Sequence, residues 1–77
     1  MKELIEYIAK SLASKPEDVR VTAEKEEEEG RLVLKLEVNS EDKGKIIGRQ
    51  GRVAQAMRLL LRVAAIKQGA RATLEIV

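Results

Sequence analysis

Gly48 and Gly51 stand three residues apart in a stretch, residues 41–68, that is otherwise rich in good helix formers. Glycine is costly inside a helix and cheap where the backbone turns through positive φ, so the pair dictates two helices with a tight connection between them. The first is short, about one turn ending at Ile47, with Glu41 and Asp42 placed to cap its positive end. The second runs from Arg52 to Gln68, rich in Ala, Leu, Arg and Gln, and Gly69 closes it as a left-handed cap. The fold must therefore be built around a helix-loop-helix.

The remaining segments supply a sheet and one more helix. Leu4, Ile5, Ile8 and Leu12 recur at helical spacing, with Lys2, Glu3, Glu6 and Lys10 filling the other faces, so residues 2–14 are expected to form an amphipathic helix. Pro16 ends it, and residues 14–18 form a connector. Val19, Val21 and Ala23 alternate with Arg20, Thr22 and Glu24, and Leu32, Leu34, Leu36 and Val38 alternate with Val33, Lys35 and Glu37. Both segments are period-two strands joined by a turn ending at Gly30, and the acidic run 26–29 reads as the solvated end of a hairpin. Residues 71–77 alternate again, with Ala72, Leu74 and Ile76 on one face. The expected order is α-β-β-α-α-β, an α+β fold whose three-stranded sheet carries its helices on one face.

A chain of 77 residues has room for one domain, residues 1–77. Tyr7 is its only aromatic side chain, so the core must be built from Leu, Ile, Val and Ala, and recognition by stacked aromatics is disfavoured. With no cysteine and no histidine there is no thiolate cluster, zinc tetrad, disulfide or Ser-His or Cys-His pair. The 13 acidic residues form no pocket-like constellation in the sequence, so neither an enzyme nor a cofactor or metal site is expected. No uncharged apolar run approaches the roughly 20 residues that span a bilayer. The opening MKELIEYIAK has acids within its apolar stretch and no small-residue cleavage site, unlike a signal peptide, so a cytoplasmic protein is expected.

The net charge of +2 hides a division within the chain. Residues 1–30 carry a net −4 and residues 31–77 a net +6. Between Lys43 and Arg71 there are eight basic residues and no acid. Helix surfaces in a chain with 36% charged residues normally mix signs to gain i,i+4 pairs. Charge collected on one surface instead suits a polyanion, because it raises the local potential and releases counterions from phosphates.

The segment Gly44-Lys45-Ile46-Ile47-Gly48-Arg49-Gln50-Gly51-Arg52 opens this basic region. It lacks the Gly-Lys-Ser/Thr ending of a Walker loop, and only its last glycine pair fits a dinucleotide fingerprint. Glycines at 48 and 51 let the backbone approach a phosphate with no Cβ between, and the amides opening the next helix face the anion at its positive end. Lys43, Lys45, Arg49 and Arg52 can reach flanking phosphates. Ile46 and Ile47, with one apolar row of the 31–38 strand, would line a groove for bases, at least one of the two isoleucines being core.

Ile-Ile-Gly-x-x-Gly in a helix-loop-helix is the signature of a KH domain. Along nearly its whole length, including the run from Glu41 to Arg52, the hairpin and the final strand, the chain resembles the small stand-alone bacterial KH proteins of the KhpA (YlqC) family. The resemblance implies a type II KH fold and single-stranded RNA binding, about four nucleotides being clamped by the loop. It also implies a bacterial post-transcriptional regulator or RNA-chaperone-like factor, self-association, and pairing with a larger KH-containing RNA-binding partner. At Ala54 the chain departs from the wider KH pattern, in which a larger aliphatic residue is common.

Two further readings stay open from the residues alone. On a helical wheel the 53–66 helix is expected to bury Val53, Ala56, Met57, Leu60, Val63 and Ala64. Leu59 and Ile66 then form a second stripe that contacts either the first helix or a second subunit, which would make the domain an interaction module. Arg58 and Arg62 fall on the polar side, either touching RNA peripherally or simply solvated. Tyr7 is expected in the core or at its rim. Single-stranded DNA would fit the same loop as RNA.

Overall fold

The computed structural model describes residues 1–26 and 30–77. Its main elements are α1 (Lys2–Leu12), β1 (Arg20–Lys25), β2 (Arg31–Glu37), α2 (Lys43–Ile47), α3 (Arg52–Lys67) and β3 (Arg71–Ile76), with short 3-10 turns at Pro16–Asp18 and Arg49–Gly51. The order is the α-β-β-α-α-β read from the sequence. Of the acidic hairpin end, Glu27, Glu28 and Glu29 lie outside the described residues.

The sheet runs β1-β2-β3, with β2 antiparallel to β1 and parallel to β3. Alternation alone carries no strand direction. The connection does: a parallel return needs a long crossover, and α2 and α3 supply it. Val21, Leu34, Leu36 and Leu74 turn one face of the sheet toward Ile5 and Ala9 of α1, Ile46 of α2, and Met57 and Leu61 of α3. Complete burial of Ile5, Leu34, Leu36, Ile46 and Leu61 stabilises the fold by about 1.5–3 kcal/mol for each side chain. The opposite face is polar apart from Val33 at its centre, with pairs across strands such as Arg20 against Glu37 and Lys35 against Glu75.

α3 buries a different stripe from the one its wheel suggests. Ala54, Met57, Leu61 and Ala65 are buried, whereas Leu60 and Val63, expected inside, are 47% and 44% exposed, and Ala56 is exposed as well. The physical reason is that Met57 and Leu61 pack into the core with Leu34, Leu36 and Leu74, and Ala54 and Ala65, three before Met57 and four after Leu61, share that side of the helix. The helix ends as foreseen at Gly69, whose φ is +68°. The amide of Gly69 bonds the carbonyl of Ile66 and that of Ala70 bonds Ala65, the paired bonds of a Schellman cap.

Two further expectations are corrected. Tyr7 is 73% exposed, neither core nor rim. α1 stops at Leu12 rather than residue 14, because Ala13 turns into extended backbone and the next two amides are claimed by Asp42.

Candidate nucleic-acid interface

The two isoleucines before the loop divide their tasks. Ile46 is fully buried and anchors α2 in the core, while Ile47 is 41% exposed beside the loop. Gly48 follows at φ 79° and ψ 170°, a conformation essentially confined to glycine. Gln50 (φ 57°, ψ 25°) and Gly51 (φ 74°, ψ 13°) are both left-handed, so three of four consecutive residues have positive φ. The two glycines serve different needs. A Cβ at Gly48 would lie 2.5 Å from Cγ2 and 2.9 Å from the backbone nitrogen of Val53, whereas one at Gly51 would meet nothing within 4 Å. Gly48 lets α2 and α3 pack together, and Gly51 keeps the outer side of the loop bare.

Among the described residues no side chain caps α3 at Gly51, and no acid stands in its first turn. The positive end of a 16-residue helix therefore opens onto the loop, where an anion is favoured. Lys43, Arg49, Gln50 and Arg52 are all exposed around it, Arg52 within 3.5 Å of the Gln50 side-chain oxygen.

Lys45 is placed differently. Its ammonium donates to the Ser14 hydroxyl and stands 4.0 Å from Asp42 Oδ1, on the side of the α1–β1 connector. Asp42 itself does not act as the side-chain cap expected of it. Its side chain is 1% exposed, and its two oxygens accept the backbone N–H groups of Ser14 and Lys15, each at 3.0 Å. Those two amides, helped by the nearby Lys45 charge, hold the Asp42 carboxyl below the usual aspartate range against the opposing effect of its own burial. The carboxylate thus ties the connector after α1 to the start of α2, joining residues 28 and 27 positions apart. Nothing in the local sequence separates this role from helix capping, since both want a short acid just before a helix.

Beyond the loop, α3 presents three faces. One is buried; a second, outward, carries Leu59, Leu60, Val63 and Ile66; the third turns Arg58 and Arg62 toward the outer edge of β3. Arg58 Nε donates to the Leu74 carbonyl at 3.4 Å, so that carbonyl points away from β2. Arg58, Arg62, Ala72, Thr73 and Leu74 line a small hollow of about 180 Å³. It continues into a larger one of about 420 Å³ at the far end of α3, walled by Arg62, Ile66, Arg71 and Arg31. The structure thereby brings Arg58 and Arg62 into a groove rather than leaving them on an open helix face. It also adds Arg71, which the sequence marks only as one basic residue among eight.

Among the described residues no group of three His, Cys, Asp or Glu side chains could hold a metal ion, and no helix is long and apolar enough to cross a membrane.

Residues 2–76 match the KH-domain family of KhpA and KhpB. The RNA-binding protein KhpA of Clostridium perfringens is 51% identical over 77 residues, with all of both chains covered. The KhpA proteins of Treponema pallidum, 47% identical over 99% of this chain and 92% of that one, and of Listeria monocytogenes, 44% identical over 100% and 99%, are similar along the same length. Among solved structures, a point variant of Aquifex aeolicus Era bound to GDP·AlF4− superposes with a TM-score of 0.60 at 20% identity, covering 97% of this chain and 28% of that one. That likeness is one of fold.

Proposed function

Since the chain belongs to the KhpA/KhpB KH-domain family, we propose that it binds single-stranded RNA by clamping the phosphate backbone at the Gly48–Gly51 loop. One observation carries this reading: a loop with three positive-φ residues, bare on its outer side, meets the uncapped positive end of α3 inside a stretch free of acids. The similar KhpA proteins of Clostridium perfringens, Treponema pallidum and Listeria monocytogenes are RNA-binding proteins.

A phosphate seated on the loop is held by backbone amides and by the helix end, with Arg49 and Arg52 on its flanks and Lys43 behind. Ile47 offers an aliphatic wall for a base, and Ile46 supports it from the core. Lys45, restrained by Ser14 and Asp42, adds field rather than a direct contact. With no aromatic platform, affinity comes mainly from phosphates and sequence preference is loose. Such a protein suits post-transcriptional regulation or RNA-chaperone work in the bacterial cytoplasm. Replacing both Arg49 and Gln50 by Asp puts two anions at the clamp on exposed positions. The variant is expected to keep its melting temperature and lose oligonucleotide binding; undiminished binding rules the loop out. Matched RNA and DNA oligomers separate an RNA preference from general single-strand binding.

A second reading concerns assembly. Leu59, Leu60, Val63 and Ile66 form an exposed apolar stripe, 44–66% accessible, on one side of α3. That stripe supports self-association, or pairing with a larger KH-containing protein, through α3. Sedimentation tests the first: the parent is expected to associate with rising concentration and Leu59→Glu to stay monomeric and folded. A parent monomeric throughout sinks it.

A further inference from the structure

We propose that the outer edge of β1 is a pairing surface for a second copy of this chain, the two β1 strands running antiparallel about a twofold axis at Thr22. The three-stranded sheets of the two copies then join as one.

Backbone direction makes the edge available. The amide of Glu26 donates to the Arg31 carbonyl at 2.8 Å, and on the other side of β2 the amide of Val77 donates to the Leu36 carbonyl at 2.9 Å. Antiparallel ladders alternate, so Arg20, Thr22 and Glu24 also turn their backbone groups toward β2, while Val21, Ala23 and Lys25 turn theirs outward. Among the described residues no strand takes these outward groups. Arg20, Thr22, Ala23, Glu24 and Lys25 are all exposed, so the edge is open to another strand. The far edge of the sheet differs, because α3 runs beside β3 and Arg58 already occupies the Leu74 carbonyl.

The side chains choose the partner. Charges on an edge strand normally deter pairing. Here their order makes them selective, because Arg20, Thr22 and Glu24 stand at every second position on the solvent face of the sheet. When two copies meet antiparallel with Thr22 opposite Thr22, Val21 of each faces Ala23 of the other, and the outward backbone groups of these residues bond one another. Arg20 of each copy then faces Glu24 of the other. These are the non-hydrogen-bonded pairs, whose side chains approach most closely, and opposite charges and paired threonines both stabilise such positions. Parallel pairing in register sets Arg20 on Arg20 and Glu24 on Glu24, which is repulsive. Among the described residues Arg20 has no salt bridge within its own chain, and Glu24 has only Lys35, at 3.6 Å. The contact is short. Pro16–Asp18 turns out of the strand, and beyond Lys25 the twofold would bring Glu26 toward Asp18, acid against acid. Association by this edge is therefore weaker than by a broad apolar face, and trapping reads it better than mass.

The twofold stands perpendicular to the joined sheet, so both helix layers lie on the same side of it. On the RNA-binding reading above, one particle then presents two clamp loops to a single long strand.

The test is disulfide trapping without RNA, so that its failure leaves the clamp untouched. The chain has no cysteine, and each variant therefore reports one position. Facing residues in a non-hydrogen-bonded pair have Cα atoms about 4.5 Å apart, within disulfide reach. All variants carry Leu59→Glu, which removes association through α3, and each is checked for its fold by circular dichroism. Under mild oxidation Thr22→Cys is expected to cross-link to itself about tenfold faster than Arg20→Cys or Glu24→Cys does. A mixture of Arg20→Cys chains with Glu24→Cys chains is expected to give the mixed dimer. Adding Arg20→Glu or Glu24→Arg to Thr22→Cys is expected to slow cross-linking by about threefold or more, and mixing those two charge variants to restore it. Cross-linking at Thr22→Cys no faster than at Arg20→Cys or Glu24→Cys overturns the pairing. So does faster cross-linking at Ala23→Cys, which belongs to another register, or a rate indifferent to both charge reversals.

Discussion

Replacing Gly48 and Gly51 by alanine, one at a time, separates the two uses of glycine in this loop. At Gly48 the backbone sits at φ 79° and ψ 170°, and forcing a residue with a Cβ into that region costs about 1–3 kcal/mol. The new methyl also meets Val53 at 2.5 Å from Cγ2, 2.8 Å from Cβ and 2.9 Å from the main-chain nitrogen. The side chain could rotate, but the backbone nitrogen belongs to the first turn of α3, so helix and loop must part, adding about 1–3 kcal/mol of overpacking. At Gly51 only the left-handed φ is penalised, about 1–2 kcal/mol, with open space around the methyl. Gly48→Ala is thus expected to lose about 2–6 kcal/mol, a large share of what a domain this small possesses, and Gly51→Ala about 1–2 kcal/mol. Urea unfolding followed by circular dichroism measures both. Thermal midpoints are expected to fall by about 4–8 °C for each kcal/mol. Gly51→Ala nevertheless places its methyl where the phosphate would sit, so its loss of RNA affinity is expected to exceed anything its stability explains. A Gly48→Ala variant no less stable than Gly51→Ala refutes the assignment of Gly48 to helix packing.

Three further outcomes follow from the same region. Gln50→Gly relieves a left-handed side-chain residue at the cost of unfolded-state entropy, so its stability is expected to stay within about 1 kcal/mol of the parent, as unfolding curves will tell; a larger loss contradicts the loop geometry. Because the folded-state Asp42 carboxyl is held below its ordinary value, its contribution is complete above that value and disappears as pH falls through the lowered one. Asp42→Asn, which keeps the shape and loses the charge, is therefore expected to destabilise the domain at neutral pH and to show less acid-induced loss than the parent; parallel stability curves from about pH 7 to about pH 2 refute the tether. With roughly three to four phosphates neutralised at the clamp, the logarithm of four-mer affinity is expected to fall against the logarithm of salt with a slope of about −2 to −3, and a slope near zero means that bases carry the binding.

The element order was legible because each segment has its own period and each boundary its own punctuation: Pro16, Gly48, Gly51 and Gly69. The loop was legible for the same reason. The buried face of α3 was not, since apolar residues surround much of that helix and hydrophobicity cannot choose between Leu61, which is buried, and Leu60, which is not. The choice is made by where the helix meets the sheet, whose position the sequence does not state. Asp42 misled for a related reason. An acid before a helix has a local partner in view, and only the folded chain brings the amides of Ser14 and Lys15 within its reach. Arg58, Arg62 and Arg71 form a groove only because the crossover folds β3 back antiparallel to α3, which no spacing along the chain announces.

Among the described residues β3 pairs with β2 on one side and with no strand on the other, and an edge strand with unpaired backbone groups is a template for joining sheets between molecules. The Arg58 guanidinium covers one such group, the Leu74 carbonyl, and the arginines beside it set like charge against like whenever two β3 edges approach. The same side chains that suit a polyanion therefore guard against aggregation. Truncating them is expected to be felt first as turbidity in concentrated solution.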